Sequence, residues 1–266
     1  MDQFSELGIT LNNWVATIEI QRAPLNFFDK ELICQIADAF ELLDANPDCR
    51  AIVLASEGKV FCAGANFGTG KQDGSGDDNF SEDGFNTVTV NLYSEALRLF
   101  KCKKPVIAAI QGAAVGGGFG LALVADFRVA APEARFAANF AKLGIHPGFG
   151  LTVTLPHLIG AQRANLLFYT GRRIKGEQAL EMGLVDQLSS LENVRADAQA
   201  LAAEIAENAP LAVVSVRATM RAGLADKIAA ATAHELKEQQ WLRGTSDADE
   251  GVRAVSERRP GNFTGK

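Results

Sequence analysis

At 266 residues the chain is long enough for one large domain, or for one domain with a smaller appendage. It is 47% hydrophobic and 22% charged with a net charge of −6, which suits a soluble globular protein and argues against a nucleic-acid surface, since that needs a basic stripe. No apolar run of about 18 residues reads as a membrane span. The opening "MDQFSELG" has neither the basic nor the apolar region of a signal peptide, so the cytoplasm is the expected location.

In chain order, "NNWVATIEI" (Asn12–Ile20) is rich in β-branched residues and reads as one strand. Asp29 is placed to cap a helix whose apolar stripe is Leu32, Ile33, Ile36, Phe40 and Leu43. "RAIVLAS" (Arg50–Ser56) reads as a short buried strand, followed by the small-residue run "VFCAGAN" (Val60–Asn66). Residues Gly68–Gly84 are glycine-rich and acidic and read as a solvated surface loop; the acids do not fall at calcium-loop spacing. Asn86–Cys102 reads as a helix, with Val90, Tyr93, Leu97 and Phe100 near one face. "KKPVIAAIQG" reads as a strand with Pro105 at its start, where no ladder donor is lost. "FGLALVAD" has helical length, and "FRVAA" and "RFAAN" read as short strands.

Helix, strand and turn signals alternate up to about Leu188, which predicts an α/β core over residues 1–190. From about Glu192 to Arg259 the chain is alanine-rich and helical, with Pro210 where a helix can start. Residues 191–266 are therefore expected to form a helical segment packed on the core or on a neighbouring subunit. The four cysteines, Cys34, Cys49, Cys62 and Cys102, form no CxxC and read as reduced, mostly buried thiols; no metal site is expected.

The run "AAVGGGFGLA" (Ala113–Ala122) is the chemically suggestive one. Each glycine inside a helix or strand costs roughly 1 kcal/mol against alanine, so Gly116, Gly117 and Gly118 need a reason. GxGxxG fails at Leu121 and Phe119, and neither GxxxxGK[ST] nor GxSxG occurs. What remains is a turn whose backbone N–H groups point at an anion or a carbonyl, and "CAGA" (Cys62–Ala65) supplies a second. Tight packing at two crossovers explains the same residues without any ligand.

"FCAGAN" (Phe61–Asn66), "KPVIAAIQGAAVGGGFGLALVADFRVA" (Lys104–Ala130), "LGIHPGFG" (Leu143–Gly150) and "TGRRIKGEQALEMGLVDQL" (Thr170–Leu188) together resemble the crotonase superfamily of enoyl-CoA hydratases and isomerases. The resemblance covers nearly the whole chain. It implies an α/β fold, a spiral of repeated ββα units followed by helices, and assembly as a homotrimer or dimer of trimers. It implies an acyl-CoA substrate, with coenzyme A entering only as part of the thioester and no further cofactor, and an enolate or oxyanion held by backbone amides. Ala65 and Gly117 match the two amide donors. Ala23, Leu25 and Ala63 match the region that receives the adenine end of coenzyme A. Arg258 matches a basic position near its phosphates, with Arg259 an equal rival by charge.

The hydratases of that family use two glutamates, and this chain has Gly120 and Phe140 at their positions. Neither residue can orient water or move a proton. His146, in "LGIHPG", is the candidate replacement, because imidazole titrates near neutral pH. The loop acids Asp73, Asp77, Asp78, Glu82 and Asp83 are further candidates. Tyr93, Glu95, His157 and His234 read as surface or packing residues, and Asp126 as a cap or ion-pair partner. Asn139 offers a hydrogen bond but no base. Small Gly120 beside Phe140, Gly148 and Phe149 suggests a pocket for a bulky or aromatic acyl group. Two classes stay open: an enzyme running decarboxylation, C–C cleavage, thioester hydrolysis or a proton shift, and a non-catalytic acyl-CoA binder.

Overall fold

The computed structural model describes residues 4–65 and 92–266. The loop reading at Gly68–Gly84, with its five acids, and the start of the helix read from Asn86 fall outside those residues.

Strands β1 (Leu7–Asn12) and β2 (Val15–Ile20) form an antiparallel hairpin. The single strand read over Asn12–Ile20 is therefore corrected. Asn13 and Trp14 both take positive φ, 47° and 68°, which is the backbone of a two-residue hairpin turn. The Arg50 guanidinium lies 3.8 Å over the Trp14 ring, and the Arg50 N–H donates to the Trp14 carbonyl, which pins the turn.

From β2 onward the main sheet is parallel: β3 (Ala51–Ser56), β4 (Val106–Ile110), β6 (Phe127–Ala130) and β9 (Gln187–Leu188) follow in spatial order. A second, three-stranded sheet holds β5 (Ala113–Val115), β7 (Arg135–Ala137) and β8 (Arg173–Lys175). Every residue of β3 and β4 is buried, as a parallel strand covered on both faces requires. Their side chains sort by parity. Ile52, Leu54, Val106, Ala108 and Ile110 join the larger core, while Val53, Ala55, Ile107 and Ala109 face the other way.

Helix α1 (Lys30–Ala45) lies on the larger core through the stripe read from sequence, and the Asp29 carboxylate accepts the Leu32 N–H at 3.0 Å as its cap. Residues 92–100 form α2. Helix α3 (Gly117–Ala122) is short and begins inside the glycine run. A 3-10 turn (Phe140–Leu143) precedes α4 (Leu151–Ile159), α5 (Ala161–Thr170) and α6 (Gly176–Met182).

The C-terminal segment holds α7 (Val194–Ala206), α8 (Pro210–Met220), α9 (Leu224–Arg243) and α10 (Ser246–Ser256). Ala198, Ala202 and Ala206 recur every fourth residue and lay α7 closely over the second face of the main sheet. Asp126 is an ion-pair partner: it receives the Val106 N–H and pairs with Arg217 of α8 and with Arg221, which caps that helix. Arg128, 1% exposed, donates to the carbonyls of Ala125, Asp126 and Leu184 and pairs with Asp186, tying the chain after α3 to β9.

Candidate active site

Two turns meet at one place. Cys62 bridges Ala114 in parallel, and Phe28 bridges Ala65, so three extended segments run side by side. Gly64 has φ +89°, and a Cβ there would lie 2.7 Å from the Val115 carbonyl oxygen and 3.5 Å from the Gly117 nitrogen. On Gly118 a Cβ would lie 2.2 Å from the Cys62 carbonyl oxygen. Backbone approaches this closely only where side chains are missing. Gly116 supplies the positive φ, +56°, that turns β5 into α3, and its N–H donates to the Ala137 carbonyl at 2.8 Å. Gly117 is the first residue of α3, so its N–H has no partner within the helix. Neither it nor the Ala65 N–H donates to a backbone carbonyl among the described residues.

Three phenylalanines close over these glycines. A Cβ on Gly117 would lie 2.4 Å from Cζ of Phe28, and one on Gly120 would lie 2.8 Å from Cδ1 of Phe149. A Cβ on Gly116 would lie 3.9 Å from Cζ of Phe140 and 3.7 Å from Oδ1 of Asn139, an oxygen that is buried without a partner among the described residues. The Phe28 and Phe149 rings are 5.4 Å apart and tilted by 48°. Among the described residues, the nearest atoms to Gly116, Gly117 and Gly120 thus include no carboxylate. Phe149 holds an unusual backbone, φ +62°, for a side chain of its size.

The segment around Phe149 is fastened to α9. Oε2 of Glu235 accepts the Gly150 N–H at 2.9 Å, and Oε1 accepts the Thr152 N–H at 3.1 Å and the Thr152 hydroxyl at 2.5 Å. Glu235 is fully buried; burial raises its carboxyl pKa, opposed by these donors and by the nearby His146. Gln239 donates to the His146 carbonyl at 2.9 Å and accepts the Tyr93 hydroxyl at 2.9 Å. Burial pushes the Tyr93 phenol well above its usual range. Gly148 is required where it stands, because a Cβ would lie 2.0 Å from the Tyr93 oxygen.

The enoyl-CoA hydratase/isomerase family model matches residues 10–266. The chain belongs to the enoyl-CoA hydratase/isomerase family. The carnitinyl-CoA dehydratase of Salmonella typhi is 32% identical over 265 residues, covering 98% of both chains. A crystallised enoyl-CoA hydratase/isomerase from Pseudoalteromonas atlantica superposes with a TM-score of 0.83 at 25% identity, over 97% of this chain and all of that one. An enoyl-CoA hydratase subunit from Geobacillus kaustophilus is 31% identical, with a TM-score of 0.74 over the full length of both. This is the crotonase fold, as the quoted motifs imply.

Within this family member the structure brings Ala65, Gly117, Gly120, Phe140 and Phe149 to one place, and adds Phe28, which the reading by residue type passed over. The tandem "FF" directly before the Asp29 cap was the available signal. His146 sits at the other end of the Phe149 segment. Its Nδ1 lies 2.8 Å from the Pro147 carbonyl oxygen, which only accepts, so Nδ1 is the donor in that hydrogen bond. Its ring meets the His234 ring edge-on at 5.9 Å, on the α9 side. His157 is exposed on α4, and Glu95 is taken up by Arg98 at 2.5 Å.

Among the residues matched to coenzyme A, Ala63 and Leu25 are joined, the Ala63 N–H donating to the Leu25 carbonyl at 3.0 Å. Ala23 is exposed beside them, and its N–H donates to Glu57. Arg259 is held by Glu250 and Glu257, whereas Arg258 is exposed and forms no ion pair with a described residue. Among the described residues no group of three or more His, Cys, Asp or Glu is placed to hold a metal, and no helix is long and apolar enough to cross a membrane.

All four thiols are free. Burial pushes Cys62 and Cys102 up to about 12 and raises Cys49 as well, while Cys34 is only partly buried and is raised by burial and by Asp38 and Glu95. Thiolate is the reactive form. Iodoacetamide at pH 8 is therefore expected to label no more than Cys34 in the native protein and all four cysteines after unfolding, as counted by intact mass. Labelling of Cys62 in the native protein would show that the "CAGA" turn opens.

Proposed function

We propose that the protein acts on an acyl-CoA thioester, holds the thioester oxygen on the amides of Ala65 and Gly117, and breaks a carbon–carbon bond within the acyl group. The observation that carries this reading is the Phe149 ring lodged against Gly120, with Phe140 at the other position where a hydratase has a carboxylate. Adding or removing water requires groups that move protons at both carbons of the double bond. The dehydration named for the Salmonella relative therefore does not pass readily to this chain.

Decarboxylation or a related cleavage makes a smaller demand. The bond from the α-carbon to its carboxylate breaks and carbon dioxide leaves. Its electron pair enters the carbon–carbon bond of an enolate, and the charge collects on the thioester oxygen. Preorganised amide donors at that oxygen are worth about 3 kcal/mol each. The α-carbon then takes a proton, for which His146 with both ring nitrogens protonated is the candidate donor, giving it up from Nε2. The Phe149 ring fills the space beside Gly120 that the sequence suggested for a bulky acyl group, so the acyl group lies against the Phe28, Phe140 and Phe149 rings rather than in that space.

Mass spectrometry after incubation with 2-enoyl-, 3-oxoacyl-, malonyl-type and aromatic acyl-CoAs tests the reading. Loss of carbon dioxide or a shortened acyl chain is the expected result. Gain of one water on a 2-enoyl-CoA would overturn it. Release of free coenzyme A with an intact acid would make the protein a thioesterase, and binding without any mass change a carrier.

A further inference from the structure

We propose that Glu235 is a positioning residue that sets the wall of the acyl pocket by holding Phe149 in its left-handed conformation. The proposal rests on the acyl-CoA reading above. Helix α4 starts at Gly150, which has no side chain to cap it. The capping acceptor comes instead from a carboxylate 85 residues further on. A serine or aspartate at the start of α4 would cap the helix equally well. Only an acceptor on α9 also fixes where the preceding residue sits relative to the rest of the fold.

That preceding residue is Phe149. Its φ of +62° is unfavourable for a bulky side chain and persists only when the surroundings over-determine it. Here the next amide, Gly150, goes to Glu235, and Gly148 on the other side lies against the Tyr93 oxygen, where a Cβ would come within 2.0 Å. Held so, the ring lies against Gly120 and 5.4 Å from Phe28, which itself lies against Gly117. The chain of contacts therefore runs from Glu235 through Gly150 and Phe149 to Phe28 and the Gly117 amide. A carboxylate is specifically suited, because both oxygens accept and three donors converge on them. A glutamine would turn an NH2 toward an N–H on one side.

The test measures affinity by titration calorimetry for coenzyme A, acetyl-CoA, hexanoyl-CoA and benzoyl-CoA in wild type, Glu235→Ala and Thr152→Val. Amide hydrogen exchange over residues 148–155 is followed in the same proteins. In Glu235→Ala the ring is released, so the benzoyl-to-acetyl affinity ratio is expected to change by about tenfold, with coenzyme A itself held within about twofold. Exchange over residues 148–155 rises. Thr152→Val, which keeps the carboxylate and its two backbone donors, moves both quantities in the same direction but less; it carries the test if Glu235→Ala does not fold.

Unchanged exchange overturns the positioning role. So does an affinity loss shared equally by coenzyme A and every acyl-CoA, which is what a merely structural role would give. If exchange rises but wild type binds no acyl-CoA more tightly than coenzyme A, the acyl-CoA reading fails. Glu235 then fixes Phe149 without shaping an acyl pocket, and this proposal falls with that reading.

Discussion

Gly118→Ala is expected to cost about 3 kcal/mol or more of stability, at the upper end of what overpacking does. The reason is what the added Cβ would meet: the Cys62 carbonyl oxygen at 2.2 Å and the Cys62 carbonyl carbon at 2.8 Å. Both belong to backbone, which cannot rotate aside as a side chain does. The "CAGA" and "GGG" turns would have to separate, and the Ala65 and Gly117 amides would lose their common focus. Gly244→Ala is the matched control, because Gly244 has φ −77° and its nearest foreign contact is 3.5 Å away. That change is expected to be neutral within about 0.5 kcal/mol or slightly stabilising. Urea unfolding of the two variants reads the difference, and similar midpoints would mean that the turns have room to spare.

Gly120→Glu places a carboxylate where the motif resemblance expects the hydratase glutamate, yet it is expected to produce no hydration of a 2-enoyl-CoA. The volume is taken: the Cδ1, Cβ and Cγ atoms of Phe149 lie 2.8, 2.9 and 3.0 Å from the Cβ position. Overpacking of that kind costs about 1–3 kcal/mol, and burying a carboxylate among Phe149, Phe28 and Phe140 adds to it. Gly120→Glu with Phe149→Ala is expected to be more stable than Gly120→Glu alone, since the two residues compete for one space and their effects are not additive. Thermal unfolding checks the coupling, and a water-addition assay checks the activity. A single variant as stable as wild type would show that Phe149 yields easily, and hydration by it would put the lost carboxylate alone at the root of the changed chemistry.

Much of the fold and part of the site are carried by local pattern. The stripe Leu32, Ile33, Ile36, Phe40 and Leu43 behind Asp29 is a capped helix by its spacing alone, and α1 is that helix. The all-apolar runs that became β3 and β4 read as buried strands for the same reason. The first hairpin shows where pattern stops. Asn12–Ile20 is rich in β-branched residues, and although Asn13 is a residue that tolerates positive φ, the alternation alone does not separate the turn at Asn13 and Trp14 from the strand that follows. Asn139 shows the same limit at the site, since its residue type offers a hydrogen bond while only the fold leaves its oxygen buried beside Gly116 and unpartnered among the described residues.

The sequence by itself determined the family and the two small-residue turns, and it places Gly120 and Phe140 where the motif resemblance expects hydratase glutamates. Each of these is written in consecutive residues, so identity and spacing suffice. Only the tertiary structure decided that Phe28 and Phe149 cover Gly117 and Gly120, and that Glu235, Gln239 and Tyr93 hold the segment between them. A glutamate in a polar, alanine-rich helix reads as solvated, because charged side chains are almost never fully buried unless paired. Glu235 is buried because its donors, Gly150 and Thr152, arrive from a segment 85 and 83 residues earlier. Contacts between segments so far apart leave no periodicity in the chain, and folding alone brings them together.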